Sequence, residues 1–174
     1  MNNELNIKYT VFKTKWGWFG LAGTERGLLR TCLPLAEREK VKFRIIKNLR
    51  PAQYDKNFFK PVQEQIAAYF DGAHVNFGKD IPIELYVFSF FTKQVLTACR
   101  DIMFGQTITY LGLAKKLGRP IAVRAVGGAL AKNPLPLLIP CHRVIRSDGK
   151  LGGFSAVGGT KVKKRLLELE AHGL

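Results

Sequence analysis

The run Asn133-Pro134-Leu135-Pro136-Leu137-Leu138-Ile139-Pro140-Cys141-His142-Arg143-Val144-Ile145 sets the terms for the rest of the chain. Asn133-Pro134 stops any helix that precedes it, because a residue before proline is driven out of the α region. The apolar stretch Leu135 to Ile139 then leads into a cysteine beside a histidine and an arginine. A cysteine so placed has two readings. It is a small buried hydrophobe at the end of a core strand, or a nucleophile whose thiolate is stabilised by the positive charge beside it. A free cysteine has a pKa of about 8.5 and needs such neighbours to ionise at neutral pH.

Two prolines and the Cys-His-Arg cluster weigh against the first reading, and charge bears on the partner. The chain of 174 residues carries a net charge of +15, which points to a polyanionic partner. Residues 1–92 hold 14 Lys and Arg against 9 Asp and Glu, whereas residues 93–174 hold 14 against 4. Between Ile102 and Leu167 the only acid is Asp148, so the basic half is the half with the cysteine run. Cys32, Cys99 and Cys141 are scattered and odd in number, which fits a reducing compartment and not a disulfide framework. No C-x-x-C or H-x-x-x-H pair occurs, and His74 and His172 lie far from His142, so no metal site and no cofactor are expected. Met1-Asn2-Asn3-Glu4 does not begin a signal peptide, and no apolar run reaches the ~18 residues of a membrane span. A cytosolic or nuclear protein without membrane contact is expected.

In chain order, Ile7 to Phe12 alternates with period two, and Trp16 to Leu21 and Gly27 to Cys32 follow across glycine-containing turns. These are antiparallel strand signals. A helix is expected over Glu37 to Leu49, and a second from Pro61 to Phe70, with proline in its first turn and Gly72 beyond its end. Asp80 to Phe91 reads as a strand and then a linker. The boundary falls near Ser89, giving domains 1–88 and 89–174. The first carries no catalytic constellation and reads as a scaffold.

In the second, Thr92 is the candidate cap of a helix whose Val95, Leu96, Cys99, Ile102 and Met103 recur at helical spacing, placing Cys99 on a core face. Thr109 caps a second helix, Tyr110 to Leu117, closed by Gly118. A third runs from about Ile121 to Lys132. Short helices joined by a glycine-containing turn suggest a helix-turn-helix. The third is small on most sides, with Gly127 and Gly128 adjacent at a cost of about 1 kcal/mol each against alanine. Either it packs tightly on another helix, or it enters a narrow nucleic-acid groove with Arg124 reaching out. Leu151 to Gly159 is a glycine-rich loop without a phosphate-loop ending, better suited to a lid or pocket wall, with Phe154 available for stacking. Thr160 caps a last helix, Lys161 to about Ala171, whose Lys161, Lys163, Lys164 and Arg165 read as a solvated or DNA-facing patch.

Phe91 to Leu96, Phe104-Gly105 through Tyr110, Arg124 to Leu130, Asn133-Pro134 and Ile139 to Val144 together resemble the O6-alkylguanine-DNA alkyltransferases. The resemblance covers residues 91–171 strongly and the first 90 in layout only. It implies a ribonuclease-H-like α/β first domain, an antiparallel sheet plus helices. A mostly α second domain with a winged-helix-like helix-turn-helix follows. It also implies direct, irreversible, stoichiometric alkyl transfer from O6-alkylguanine, and O4-alkylthymine, in double-stranded DNA. No cofactor would be needed, and the protein would act as a monomer that flips the base from the minor groove.

The same resemblance assigns roles. Cys141 would accept the alkyl group, and His142 would deprotonate it through a water. Glu170 would orient the histidine, although the helical register leaves Glu168 open as the alternative. Tyr110 would protonate the leaving guanine. Arg124 would fill the space of the extruded base, and Thr109, Ala125, Gly127, Lys132 and Arg143 would contact DNA. Asn133 would be the hinge, and Leu130, Val144, Phe154 and Ser155 would line the base pocket. Departures are Phe154, where many members have tyrosine, a longer loop before Lys161, and no counterpart to the zinc ligands of some relatives. Three other readings compete: a lesion-binding relative without chemistry, which would lack the cysteine; a helix-turn-helix regulator, which leaves Pro140 to Arg143 unexplained; and a cysteine hydrolase, which leaves the charge unexplained. Adjacent residues on a strand also face opposite ways, which makes a direct Cys141-His142 pair awkward.

Overall fold

The computed structural model describes residues 6–49 and 51–172, and the reading of Met1 to Glu4 lies outside them. The chain divides into two compact units, Met1–Glu84 and Leu85–Leu174. No helix among the described residues is long and apolar enough to cross a membrane.

In the first unit the alternating segments form β1 (Ile7–Thr14), β2 (Gly17–Thr24) and β3 (Gly27–Leu35), an antiparallel meander. The helices are α1 (Arg38–Ile46) and α2 (Lys60–Phe70). Between them β4 (Ala52–Tyr54) pairs parallel to β1, so the sheet runs β3-β2-β1-β4 and is mixed. Three residues are too few to show a period, which is why β4 gives no strand signal. The two sheet faces bury different residues. Tyr9, Val11, Ala22 and Cys32 pack with Val41 and Ile45 of α1. A Cβ on Gly20 would lie 2.6 Å from Val41, so glycine there lets the helix approach the sheet. Phe12 and Phe19, cross-strand partners, face the other way, and Phe19 meets Phe70 of α2 at 6.0 Å between ring centroids.

The strand expected after Asp80 does not form. Only Ile83 bridges, to Leu28, and Pro82, which has no N–H to donate, accepts from Leu28 N–H at 2.9 Å.

The second unit holds α3 (Phe90–Arg100), β5 (Ile108–Thr109), α4 (Tyr110–Lys116), α5 (Val123–Leu130), β6 (Val144–Ile145) and α6 (Gly159–His172). β5 and β6 pair in parallel. Ser89, not Thr92, caps α3: its Oγ accepts from Thr92 N–H at 3.3 Å, which puts Thr92 inside the first turn. Thr109 caps α4 as expected, accepting from Gly112 N–H at 2.9 Å. Gly118, at φ +69°, ends α4 in a Schellman motif, with Gly118 N–H on Lys115 C=O and Arg119 N–H on Ala114 C=O, both at 2.9 Å. α5 is shorter than expected at both ends, and α6 starts before Thr160. Val95, Leu96 and Cys99 of α3, Leu113 and Ala114 of α4, and Val126, Ala129 and Leu130 of α5 are buried, so three helices share one core. Cys99 is there, as its spacing indicates.

Candidate active site

Asn133, half-buried just beyond α5, organises the cysteine loop. Its Oδ1 accepts from Leu135 N–H at 2.9 Å, and its Nδ2 donates to Ile139 C=O at 2.8 Å and to Cys141 Sγ at 3.1 Å. Inside this loop Leu137 adopts φ +81°, which for a side-chain-bearing residue costs on the order of 1–2 kcal/mol. The asparagine bonds hold that conformation closed.

Cys141 is not on a strand. Pro140, at φ −80° and ψ 62°, forms an inverse γ-turn in which Cys141 N–H donates to Ile139 C=O at 2.8 Å. Cys141–Arg143 is then a single 3₁₀ turn leading into β6. The strand geometry used against a hydrolase therefore does not apply. What separates the two side chains is the partner that each one takes.

His142 is buried, and its Nε2 lies 2.7 Å from Glu170 Oε1. Glu170, and not Glu168, is the carboxylate on α6 that faces the turn. It also accepts from Gly105 N–H at 3.1 Å, from Arg143 Nε at 2.9 Å and from Arg143 Nη2 at 2.9 Å. Burial alone would raise its pKa, but the His142 and Arg143 bonds outweigh it and hold the carboxyl down to about 2. Burial lowers the pKa of His142 against the pull of Glu170. A neutral imidazole beside a carboxylate keeps its proton on Nε2, leaving the Nδ1 lone pair free to accept. His142 Nδ1 is buried and has no hydrogen-bond partner among the described residues.

Arg143 is expected as a DNA contact, and the structure corrects this. Its guanidinium is buried, committed to Glu170 and to Ile102 C=O, and cannot reach a phosphate. The expectation that His142 and Arg143 stabilise the thiolate is corrected for the same reason: both turn to Glu170. Lys163, expected on a solvated patch, takes that place. It is fully buried, and its Nζ donates to Val144 C=O at 2.6 Å and Gly153 C=O at 3.2 Å. Among the described residues no carboxylate pairs with it. Burial pushes the Cys141 thiol up, and the Asn133 bond and the Lys163 charge both oppose that rise. Burial lowers the pKa of Lys163, while Cys141 raises it.

Cys141 opens onto a cavity of about 510 Å³, also lined by Tyr110, Leu130, Phe154 and Ser155. Leu130, Phe154 and Ser155 therefore stand where a base pocket was expected. Val144 does not, because its side chain is buried in the core and only its carbonyl faces Lys163. Gly152 and Gly153 line it as part of the loop read as a pocket wall, whereas Ala131 and Arg146 line it without having been expected there. At Gly152, φ +74°, a Cβ would meet the Tyr110 ring at 2.9 Å, so the glycine-rich loop is shaped to that ring. Burial, and then the charge of a Cys141 thiolate, raise the pKa of Tyr110, which keeps its proton at neutral pH. Among the described residues no group of three or more His, Cys, Asp and Glu could hold a metal ion.

On α5, Arg124 and Ala125 are exposed, as is Lys132 beyond its end. Thr109 is half-buried, and its hydroxyl is engaged in capping α4. Gly127 lies under the Tyr110 ring, with a Cβ position 3.9 Å from it, whereas a Cβ on Gly128 would meet nothing within 4 Å. Packing inside the protein therefore does not explain Gly128.

Residues 90–172 match the family model described as 6-O-methylguanine DNA methyltransferase, DNA binding domain. A methylated-DNA–protein-cysteine methyltransferase of Methanosarcina barkeri is 36% identical over 95% of this chain and 98% of its own length. The mouse protein of that name is 53% identical over 81 residues, 46% of this chain and 38% of its own. A Mycobacterium tuberculosis protein, solved as OGT in complex with DNA, superposes with a TM-score of 0.78 at 31% identity, covering 95% of this chain and 94% of that one. A cysteine on a cavity, a histidine-carboxylate pair behind it and near full-length similarity converge: the chain belongs to the methylated-DNA–protein-cysteine methyltransferases.

Proposed function

We propose that this chain repairs duplex DNA by moving the alkyl group of O6-alkylguanine, and of O4-alkylthymine, onto Cys141, once per molecule. The observation that carries the reading is the placement of the Cys141 thiol on a cavity shared with Tyr110, with the His142–Glu170 pair behind it. The thiol proton passes through a water to His142 Nδ1. The thiolate, stabilised by Lys163 and Asn133, attacks the alkyl carbon in line. The S–C bond forms as the C–O6 bond breaks, and the bond pair leaves on guanine. Tyr110 donates its proton to the guanine ring, and the proton held by His142 later restores Tyr110. No redox change occurs, and a thioether is not readily reversed, so the protein is consumed.

The target lies inside a stacked duplex, so the base must be extruded, at a few kcal/mol of unstacking. α4 and α5 form the helix-turn-helix, and α5 enters the minor groove. Arg124 fills the vacated space, and Ala125, Gly127, Gly128 and Lys132 lie against the backbone. The open side of Gly128 and the net charge of the second half support this. The first unit is a ribonuclease-H-like scaffold, a reading supported by the order β3-β2-β1-β4 with β4 parallel to β1. The β5–β6 pair beside α4 supports the winged-helix description of the second unit. The division between the units at Glu84 and Leu85 lies four residues before the boundary read from the sequence, and the protein acts as a monomer wherever the cell keeps its DNA.

Cys141→Ser tests the reading. It is expected to abolish alkyl transfer while binding lesion duplex as the wild type does. Retained transfer would place the nucleophile elsewhere.

A further inference from the structure

The link between α4 and α5 carries a side chain that the site above does not use. Arg119 to Ala122 form a β-turn closed by Ala122 N–H on Arg119 C=O at 2.9 Å. Pro120 stands second in the turn, where its fixed φ fits, and Ile121 third. Ile121 is 97% exposed, more than any other large hydrophobic residue described. A single exposed apolar side chain is ordinary in itself. The setting of this one is not. The Schellman motif at Gly118 fixes one end of the link, and the first turn of α5 fixes the other. The Arg119 guanidinium, 5.4 Å from the centre of the Phe91 ring, anchors the turn against α3. Ile121 is thus presented on a rigid tip three residues before Arg124. Exposed Lys115, Arg119 and Arg124 surround it in sequence, and no acid occurs between Asp101 and Asp148.

A basic rim with an apolar tip matches a duplex by charge and by chemistry. Phosphates line the edges of the minor groove, whereas its walls are deoxyribose C–H groups and its floor is base edges. Proteins that bend DNA from that groove push apolar side chains between base steps. We infer that Ile121 is an apolar wedge, seated in the minor groove beside Arg124 against the sugars and the base step next to the extruded nucleotide. The inference rests on the proposed entry of α5 into duplex DNA. An apolar contact displaces no condensed counterion, so its contribution is independent of salt, unlike that of a lysine or arginine.

The test uses the full chain with Ile121→Ala and Ile121→Lys, and measures affinity for a duplex carrying one O6-methylguanine over a series of salt concentrations. Because the Ile121 side chain is almost fully exposed, both variants are expected to melt with the wild type. Ile121→Ala is expected to bind about tenfold more weakly at every salt concentration, with the slope of log K against log salt unchanged. Ile121→Lys is expected to steepen that slope by about one. Affinity and slope equal to wild type in both variants would overturn the wedge while leaving the DNA reading intact. Failure of the wild type to bind the duplex, or a flat salt response, would overturn the DNA reading and the wedge with it.

Discussion

Three charged side chains in the site, Arg143, Lys163 and Glu170, are buried, and their charges do not cancel in the resting protein. Glu170 and Arg143 neutralise each other through a bidentate contact. Lys163 is left with two carbonyls, the Tyr110 ring 5.7 Å from its Nζ, and a thiol that burial keeps protonated, none of which carries a negative charge. A buried cation without a counter-charge is costly. Ionising Cys141 removes that cost, so Lys163 biases the cavity toward the thiolate. Replacing it with an apolar residue of similar length takes the bias away. Lys163→Met is expected to slow reaction with free O6-benzylguanine by roughly a hundredfold, the scale of losing one preorganised electrostatic partner. It should also displace the pH profile. The rate rises with pH as the thiol ionises, and without the ammonium that rise should come at higher pH. A pH–rate profile coincident with wild type would remove Lys163 from the chemistry. The sequence held a signal for this residue. Lys163, Leu166 and Glu170 recur at three and four residues on α6 and are all buried, so a Glu170 facing His142 implies a Lys163 facing inward about two turns earlier. The run of Lys161, Lys164 and Arg165, all exposed, hid it.

Among the elements, α5 gives up helix stability at two adjacent glycines. Gly127 has a neighbour, the Tyr110 ring, while Gly128 faces open space in the protein alone. Gly128→Ala should therefore stabilise the free protein by up to about 1 kcal/mol through helix propensity. It should also weaken duplex binding, because the added methyl stands where a DNA backbone would approach. Urea unfolding and duplex titration of the same variant read both effects; a variant more stable and equally tight in binding would show that α5 does not approach DNA along this side. The helices of the second unit were legible because each carries its own punctuation: Thr109 before α4, Gly118 after it, Asn133-Pro134 after α5. The segments misread are those whose form depends on distant partners. Ile83 bridges only because Leu28 lies beside it, β4 exists only as an edge on β1, and Cys141 sits in a 3₁₀ turn because Asn133 and Glu170 fix both of its flanks.

At the scale of the molecule, the two units divide the work unevenly. The first holds two aromatic and aliphatic layers on either side of a mixed sheet, and the second holds every residue of the candidate site. Charge follows the same division, with the larger excess of Lys and Arg in the second half. The sequence pointed to the second half and to Cys141 as the candidate thiol. Where Arg143 and Lys163 point was decided by burial, which exchanged the roles their positions suggested: the arginine beside the cysteine became structural, and the lysine 22 residues later became its counter-charge. The central claim is that Cys141 receives an alkyl group from DNA and keeps it. Intact mass followed by peptide mapping, after incubation with a duplex bearing one O6-methylguanine, tests it directly. One added methyl on the Cys141 peptide, saturating at one per protein, is the expected result. An unchanged mass with the duplex still bound would contradict it and leave a protein that recognises the lesion without repairing it.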